Sequence, residues 1–178
     1  MEHINHTAPP CFFMTTHTMN YYLNIGSNIG NRQGNISQAI NLINSTFKTS
    51  VQCSSPVESE PWGFDSGNTF VNEGIVLRTD RAPHDVLTAL QRVERSISDT
   101  SHRNADGSYR DRVIDIDIVA IDHLVIDSPT LKVPHPHFAE RDFYIIPMQE
   151  LAPTWTHPRT HLTPCQMLNR LTAGAAAR

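Results

Sequence analysis

The sequence predicts an α+β domain of the ferredoxin-like sandwich class: a βαββαβ core, with helices on one face of an antiparallel sheet and further helices added at the C-terminal end. Three observations carry this. Apolar periodicity alternates between the two-residue repeat of strands and helical spacing, in the order strand, helix, strand, strand, helix, strand. Two strands run consecutively, which disfavours a doubly wound parallel sheet. At 178 residues the chain is long enough for one domain with a real core.

The elements follow in order. Residues 1–19 lack hydrophobic periodicity, and the apolar patch at 11–14 is too short, and without a basic flank, for a secretion signal. They read as an extension, open between a working arm and a start site placed upstream of Met14 or Met19. A single domain then spans 20–178. Tyr21, Leu23 and Ile25 alternate with Tyr22 and Asn24 in a first strand that ends at Gly26. Ile36, Ile40, Ile43 and Phe47 recur at helical spacing. Stretches 49–57 and 69–79 read as two strands joined by a Pro/Gly/Ser/Asn loop. Pro83 opens a helix with the stripe Val86, Leu87, Leu90, Val93 and Ile97. After a polar stretch at 98–111 comes a strand over 113–121, which Asp122-His123 turns into a short return at 124–126. A helix over 140–146 stops at Pro147, and Thr163-Pro164 opens the last one.

Charge and cysteine content narrow the function. Lys+Arg number 14 against 18 Asp+Glu, for a net charge of −4, which argues against nucleic-acid or membrane surfaces as partners. No run approaches the roughly 20 apolar residues that a spanning helix needs. Three cysteines without a CxxC pair fit neither a disulfide framework nor structural zinc, so a reducing cytoplasm is expected.

The sharpest feature is Arg112-Val113-Ile114-Asp115-Ile116-Asp117-Ile118. On a strand, Ile114, Ile116 and Ile118 share the core face, while Asp115 and Asp117 point the other way, their Cα atoms roughly 6.6 Å apart. Paired carboxylates repel unless a cation lies between them, and oxygen-only ligands favour Mg²⁺ in phosphoryl-transfer sites. The alternative is a strand face with ordinary surface acids. Gly26-Ser27-Asn28-Ile29-Gly30 marks a strand-to-helix turn that could offer N–H groups to a ligand, but serves equally as a tight turn. Ser59-Glu60-Pro61-Trp62-Gly63-Phe64, with Phe70 and Asn72, could stack on a flat ring and read its edge, or fold back on the core. His135 and His137, set between prolines, are a poor zinc pair.

Taken together, these segments resemble the 6-hydroxymethyl-7,8-dihydropterin pyrophosphokinase family of folate biosynthesis. The resemblance rests on GSNIG at 26–30, SEPWG at 59–63, FVN at 70–72, RVIDIDI at 112–118, VPHP at 133–136 and ERDF at 140–143. It implies transfer of diphosphate from ATP to the pterin hydroxymethyl oxygen, releasing AMP. By that resemblance Asp115 and Asp117 hold two Mg²⁺ ions, and Arg112 meets charge on the transferring phosphates. Glu94, Arg112, Ile118, His135 and Arg141 match ATP-binding positions. Phe70 and Phe143 match the aromatics that sandwich the pterin, Asn72 the side chain that reads its edge, and Asn28, Ser59, Pro61 and Trp62 its border. The expected partners are these two small molecules, for a cytoplasmic monomer.

The chain departs from the pattern at Ser98-Asp99, where a Gly-Arg pair is common, and at Tyr109 and Asp111, where Trp and Pro are common. Segment 98–111 has little apolar anchor besides Tyr109 and leads into Arg112, so a lid is expected there, with His102, Arg103 and Arg110 as its charge. Two other readings stay open: another Mg²⁺-dependent nucleotidyl or glycosyl transferase, or a ferredoxin-like ligand-binding module without chemistry.

Overall fold

A computed structural model describes residues 17–98 and 110–176. Residues 1–16 of the extension, and His102, Arg103 and Tyr109 of the expected lid, lie outside the described residues. Met19 already belongs to the first strand, which therefore begins one residue earlier than the periodicity suggests.

Strand β1 (Met19–Ser27) leads into helix α1 (Arg32–Phe47), whose first turn is capped by the Asn31 side chain accepting from the Gly34 N–H at 3.1 Å. Short strands β2 (Gln52–Cys53) and β3 (Val57–Ser59) follow, then the long β4 (Phe70–Thr79), helix α2 (Pro83–Ile97) and β5 (Asp115–Ile121). The expected single strand over 49–57 is therefore two pieces, both pairing antiparallel with the edge of β4. Pro56, which has no N–H to give a ladder, stands between them. The sheet order is β2-β4-β1-β5, all antiparallel, with β3 beside β2 on the same edge. This is the ferredoxin-like order that the sequence predicts.

The expected return strand at 124–126 does not pair with β5. Instead β6 (Ile126–Asp127) pairs with β7 (Lys132–Val133) in a separate ribbon. A 3-10 turn (Phe138–Glu140) and helices α3 (Asp142–Leu151) and α4 (Pro164–Ala176) complete the chain. Thr163 and Gln166 close a reciprocal capping box at the start of α4. Among the described residues, no helix is long and apolar enough to cross a membrane.

Two cores flank the sheet. Leu23 and Ile25 of β1, Ile75 and Leu77 of β4, and Ile116 and Ile118 of β5 pack against Ile36 and Ile43 of α1 and Val86, Leu90 and Val93 of α2. On the opposite face, Tyr144, Ile145 and Met148 of α3 and Met167 of α4 pack with Val119, Ala120, Phe138 and Trp155. An irregularity in the β1–β5 pairing lets Val119 and Ala120 both join this second core and returns Ile121 to the first. Because α3 and α4 cover only part of that face, the remainder is left as the floor of a cleft.

Pro147 does not stop α3, as the sequence reading expects, but lies inside it. Its ring packs on Gly74 of β4 so closely that a Cβ built at Gly74 would sit 2.4 Å from the Pro147 Cβ. Absence of a side chain at Gly74 therefore sets how near α3 approaches the sheet.

Candidate active site

The register of the three central strands builds the cleft. Asn24 pairs with Gly74 on one side and Asp117 on the other, and Gly26 pairs with Asn72 and Asp115. Side chains two residues apart share a face, so Asn24, Phe70, Asn72, Asp115 and Asp117 emerge together, opposite to the isoleucines of the first core. A Cβ at Gly26 would stand 3.0 Å from Asn72 Oδ1 and 3.5 Å from the Phe70 ring, so glycine keeps the floor open. The cleft holds about 230 Å³ and is walled further by Ser59, Trp62, Arg112, His135, Arg141 and Phe143.

Two arginines stand over the carboxylates. Arg112 Nη1 lies 3.1 Å from Asp115 Oδ2, with its guanidinium 5.4 Å from the Phe70 ring centre. Arg141 lies 4.2 Å from the Trp62 ring centre and donates from Nη1 to the Tyr144 hydroxyl at 2.6 Å. That hydroxyl donates in turn to Asp117 Oδ2 at 2.5 Å. Burial raises the Asp115 carboxyl above the ordinary carboxylate range, the Asp117 charge raises it further, and Arg112 and Arg141 oppose both. Burial also lifts the Tyr144 phenol well above its usual value, with Asp117 adding to the effect, so it stays a proton donor. His135, packed edge-on against Tyr144 at 5.1 Å, is held by burial below the usual imidazole value.

The remaining sequence-predicted residues divide. Asn28 is buried outside the cleft lining: its Nδ2 donates to Asp111 Oδ1 at 2.7 Å and its Oδ1 accepts from the Arg112 N–H at 2.8 Å. Asp111 also takes a bond from Asn68 Nδ2 at 2.8 Å. These bonds anchor the stretch that delivers Arg112. The Ile118 side chain lies in the first core, as strand parity requires, which leaves the backbone of Ile118 as its part for a polar contact. Pro61 borders a neighbouring hollow formed with Glu58, Ser59 and Asp142. Arg110 is exposed.

Glu94 stands behind the carboxylate strand, its Oε1 accepting the Ile116 N–H at 2.7 Å. Burial pushes its carboxyl up to about 8, against the opposing effect of that hydrogen bond. The folded state therefore holds this proton more tightly than the unfolded chain. That stabilisation is full below the ordinary value of 4.5 and is lost as pH rises through about 8. Glu94→Gln keeps an oxygen for Ile116 and removes the ionisation. Its thermal midpoint should exceed that of wild type at alkaline pH and match it in mild acid, as a pH series of melting curves will read.

Asn24, Glu60, His137 and Tyr144, to which the sequence reading gives no role in the site, all line the cleft. Asn24 was open to discovery, since it sits mid-strand on the face opposite Leu23 and Ile25. Its Nδ2 donates to Asn72 Oδ1 at 3.2 Å, while its own Oδ1 is buried and has no hydrogen-bond partner among the described residues. That orphaned oxygen, in register with Asp117, makes the donor set here oxygen-rich and suited to a hard cation and its water.

Comparison with known proteins agrees with this architecture. The HPPK-DHPS protein of Plasmodium falciparum superposes with a TM-score of 0.67 at 12% identity, over 90% of this chain and 47% of that one. An HPPK-DHPS crystallised in complex with substrates gives 0.68 at 12% identity, over 90% and 44% respectively. This chain thus spans less than half of those two-part proteins, and the likeness fixes the fold. Fold and family define the class: a ferredoxin-like pyrophosphokinase domain, a transferase. The chain belongs to the 7,8-dihydro-6-hydroxymethylpterin-pyrophosphokinase family, whose model matches residues 22–153. The 2-amino-4-hydroxy-6-hydroxymethyldihydropteridine pyrophosphokinase of Porphyromonas gingivalis is 39% identical over 140 residues, 77% of this chain and 92% of that one. Its counterpart from Aquifex aeolicus is 34% identical over 137 residues, 77% and 82%.

Proposed function

We propose that this chain transfers the terminal diphosphate of ATP to the hydroxymethyl oxygen of 6-hydroxymethyl-7,8-dihydropterin, a step of folate synthesis. One observation carries the reading: Asp115, Asp117, Arg112 and Arg141 share a single cleft with Phe70, Asn72 and Phe143. A phosphate-handling half and a ring-binding half therefore adjoin. In the reaction the hydroxymethyl oxygen bonds to the β-phosphorus, the bond from that phosphorus to the α–β bridging oxygen breaks, and AMP leaves. Asp115 and Asp117 would hold two Mg²⁺ ions, which supply charge neutralisation for the phosphates and acidify the attacking hydroxyl. Arg112, anchored through Asn28, meets negative charge that develops on the transferring group. Arg141 and His135 extend the polar side toward the nucleotide. On the other side, Phe70 and Phe143 stack on the pterin, with Trp62 and Ser59 at its border. Asn72, whose Nδ2 donates to Ser59 Oγ at 3.0 Å and whose Oδ1 accepts from Asn24 Nδ2 at 3.2 Å, is held in the cleft by both ends of its amide.

The domain is read as residues 20–178, acting as a cytoplasmic monomer. The unpaired thiols of Cys53 and Cys165 fit reducing surroundings.

Calorimetry with a pterin analogue tests the ring half. Phe143→Ala should weaken binding by about 0.5–1.5 kcal/mol, and Asn72→Ala by about 1–3 kcal/mol through unpaired polar ring atoms. Wild-type affinity in Phe143→Ala would place the ring elsewhere.

A further inference from the structure

We propose that Tyr144 is a positioning residue for Asp117: it holds one oxygen of that carboxylate so that the other is presented to the cation. The inference rests on the reading of Asp115 and Asp117 given above.

The direction of the hydrogen bonds follows from chemistry. Arginine has only donors, so Arg141 Nη1, 2.6 Å from the Tyr144 oxygen, occupies one of its lone pairs. The single phenolic proton is then left for Asp117 Oδ2, 2.5 Å away. A donor that is itself hydrogen-bonded to a cation is polarised and donates more strongly. The ring is fixed as firmly as its hydroxyl. Tyr144 is 2% exposed, within the second core beneath α3. Phe143 at 4.9 Å and His135 at 5.1 Å meet it edge-on.

Without this clamp the Asp117 carboxylate would turn about its terminal torsion, which is broad and shallow. Asp115, on the same strand face, would repel it. With the clamp, Oδ2 is committed and Oδ1 is free to ligate. Arg141, Tyr144 and Asp117 therefore link a group placed for phosphate to a group placed for the cation. Tyr144 stands to Asp117 as the hydrogen-bonding partners of metal ligands stand elsewhere: it sets orientation without touching the metal.

The test uses the full chain and Mn²⁺ as the probe, read by electron paramagnetic resonance with a non-hydrolysable ATP analogue. Wild type, Tyr144→Phe and Asp117→Asn are compared, with pterin-analogue calorimetry and a melting curve on each. Tyr144→Phe keeps the packed ring and removes only the hydroxyl. It should weaken Mn²⁺ binding roughly 10–100-fold, raise the KM for Mg²⁺, and leave pterin affinity unchanged. Wild-type Mn²⁺ affinity in Tyr144→Phe overturns the inference even where Asp117→Asn has lost it. An equal fall in pterin and Mn²⁺ affinity also overturns it, because Tyr144 would then be a packing residue. Wild-type Mn²⁺ affinity in Asp117→Asn overturns the carboxylate assignment itself, and the clamp with it.

Discussion

Replacing Asp115 or Asp117 with alanine should abolish turnover while leaving the fold intact. Each side chain emerges from the sheet into the cleft, away from the isoleucines that hold β5 in the first core. Each loss would remove an oxygen ligand from a cation that neutralises phosphate charge, an effect worth several kcal/mol. At about 1.4 kcal/mol per factor of ten, a fall of roughly a thousandfold or more follows. Stability moves the other way. The Asp115 carboxyl is raised above its ordinary range by burial and by Asp117, so its ionised form is a burden on the folded state at neutral pH. Its removal should therefore not lower the thermal midpoint there. Circular dichroism with a steady-state assay reads both, and an active Asp115→Ala variant contradicts the assignment.

Gly74→Ala should destabilise the protein by about 1–3 kcal/mol and displace the cleft wall. The added Cβ would meet the Pro147 Cβ at 2.4 Å, with Leu151 and Ser54 each 3.4 Å away. Neither a proline ring nor a strand backbone can swing aside as a long side chain would, so α3 must lift. The modest gain that alanine brings over glycine in a strand is smaller than this overlap. Phe143 and Tyr144 belong to α3 and Arg141 directly precedes it, so affinity for a pterin analogue should fall together with stability. Gly67→Ala, where nothing lies within 4 Å, is the matched control and should be close to neutral. Melting curves of the two variants, side by side, decide it.

Much of this site was legible because strands publish their geometry. Period-two alternation placed Asp115 and Asp117 on the face opposite to Ile116 and Ile118, and the same parity runs through Phe70 and Asn72. Parity also places the Ile118 side chain in the core, where it lies. Asn28 sits in the right motif, yet its polar atoms serve Asp111 and the Arg112 backbone, which no local pattern announces. Tyr144 was hidden for a different reason. Its role depends on how α3 docks across the sheet, and that docking depends on Pro147 meeting Gly74 from 73 positions away in sequence. The split of 49–57 into β2 and β3 and the passage of α3 through Pro147 show the same limit. Tertiary packing decides where a locally marked breaker breaks.

The most direct measurement is product analysis after incubation with ATP, Mg²⁺ and 6-hydroxymethyl-7,8-dihydropterin, comparing wild type with Asp117→Asn. Wild type should give AMP and pterin diphosphate in equal amounts, and the variant neither. ADP in place of AMP, no product from folded wild type, or undiminished AMP release by Asp117→Asn would contradict the proposed transfer.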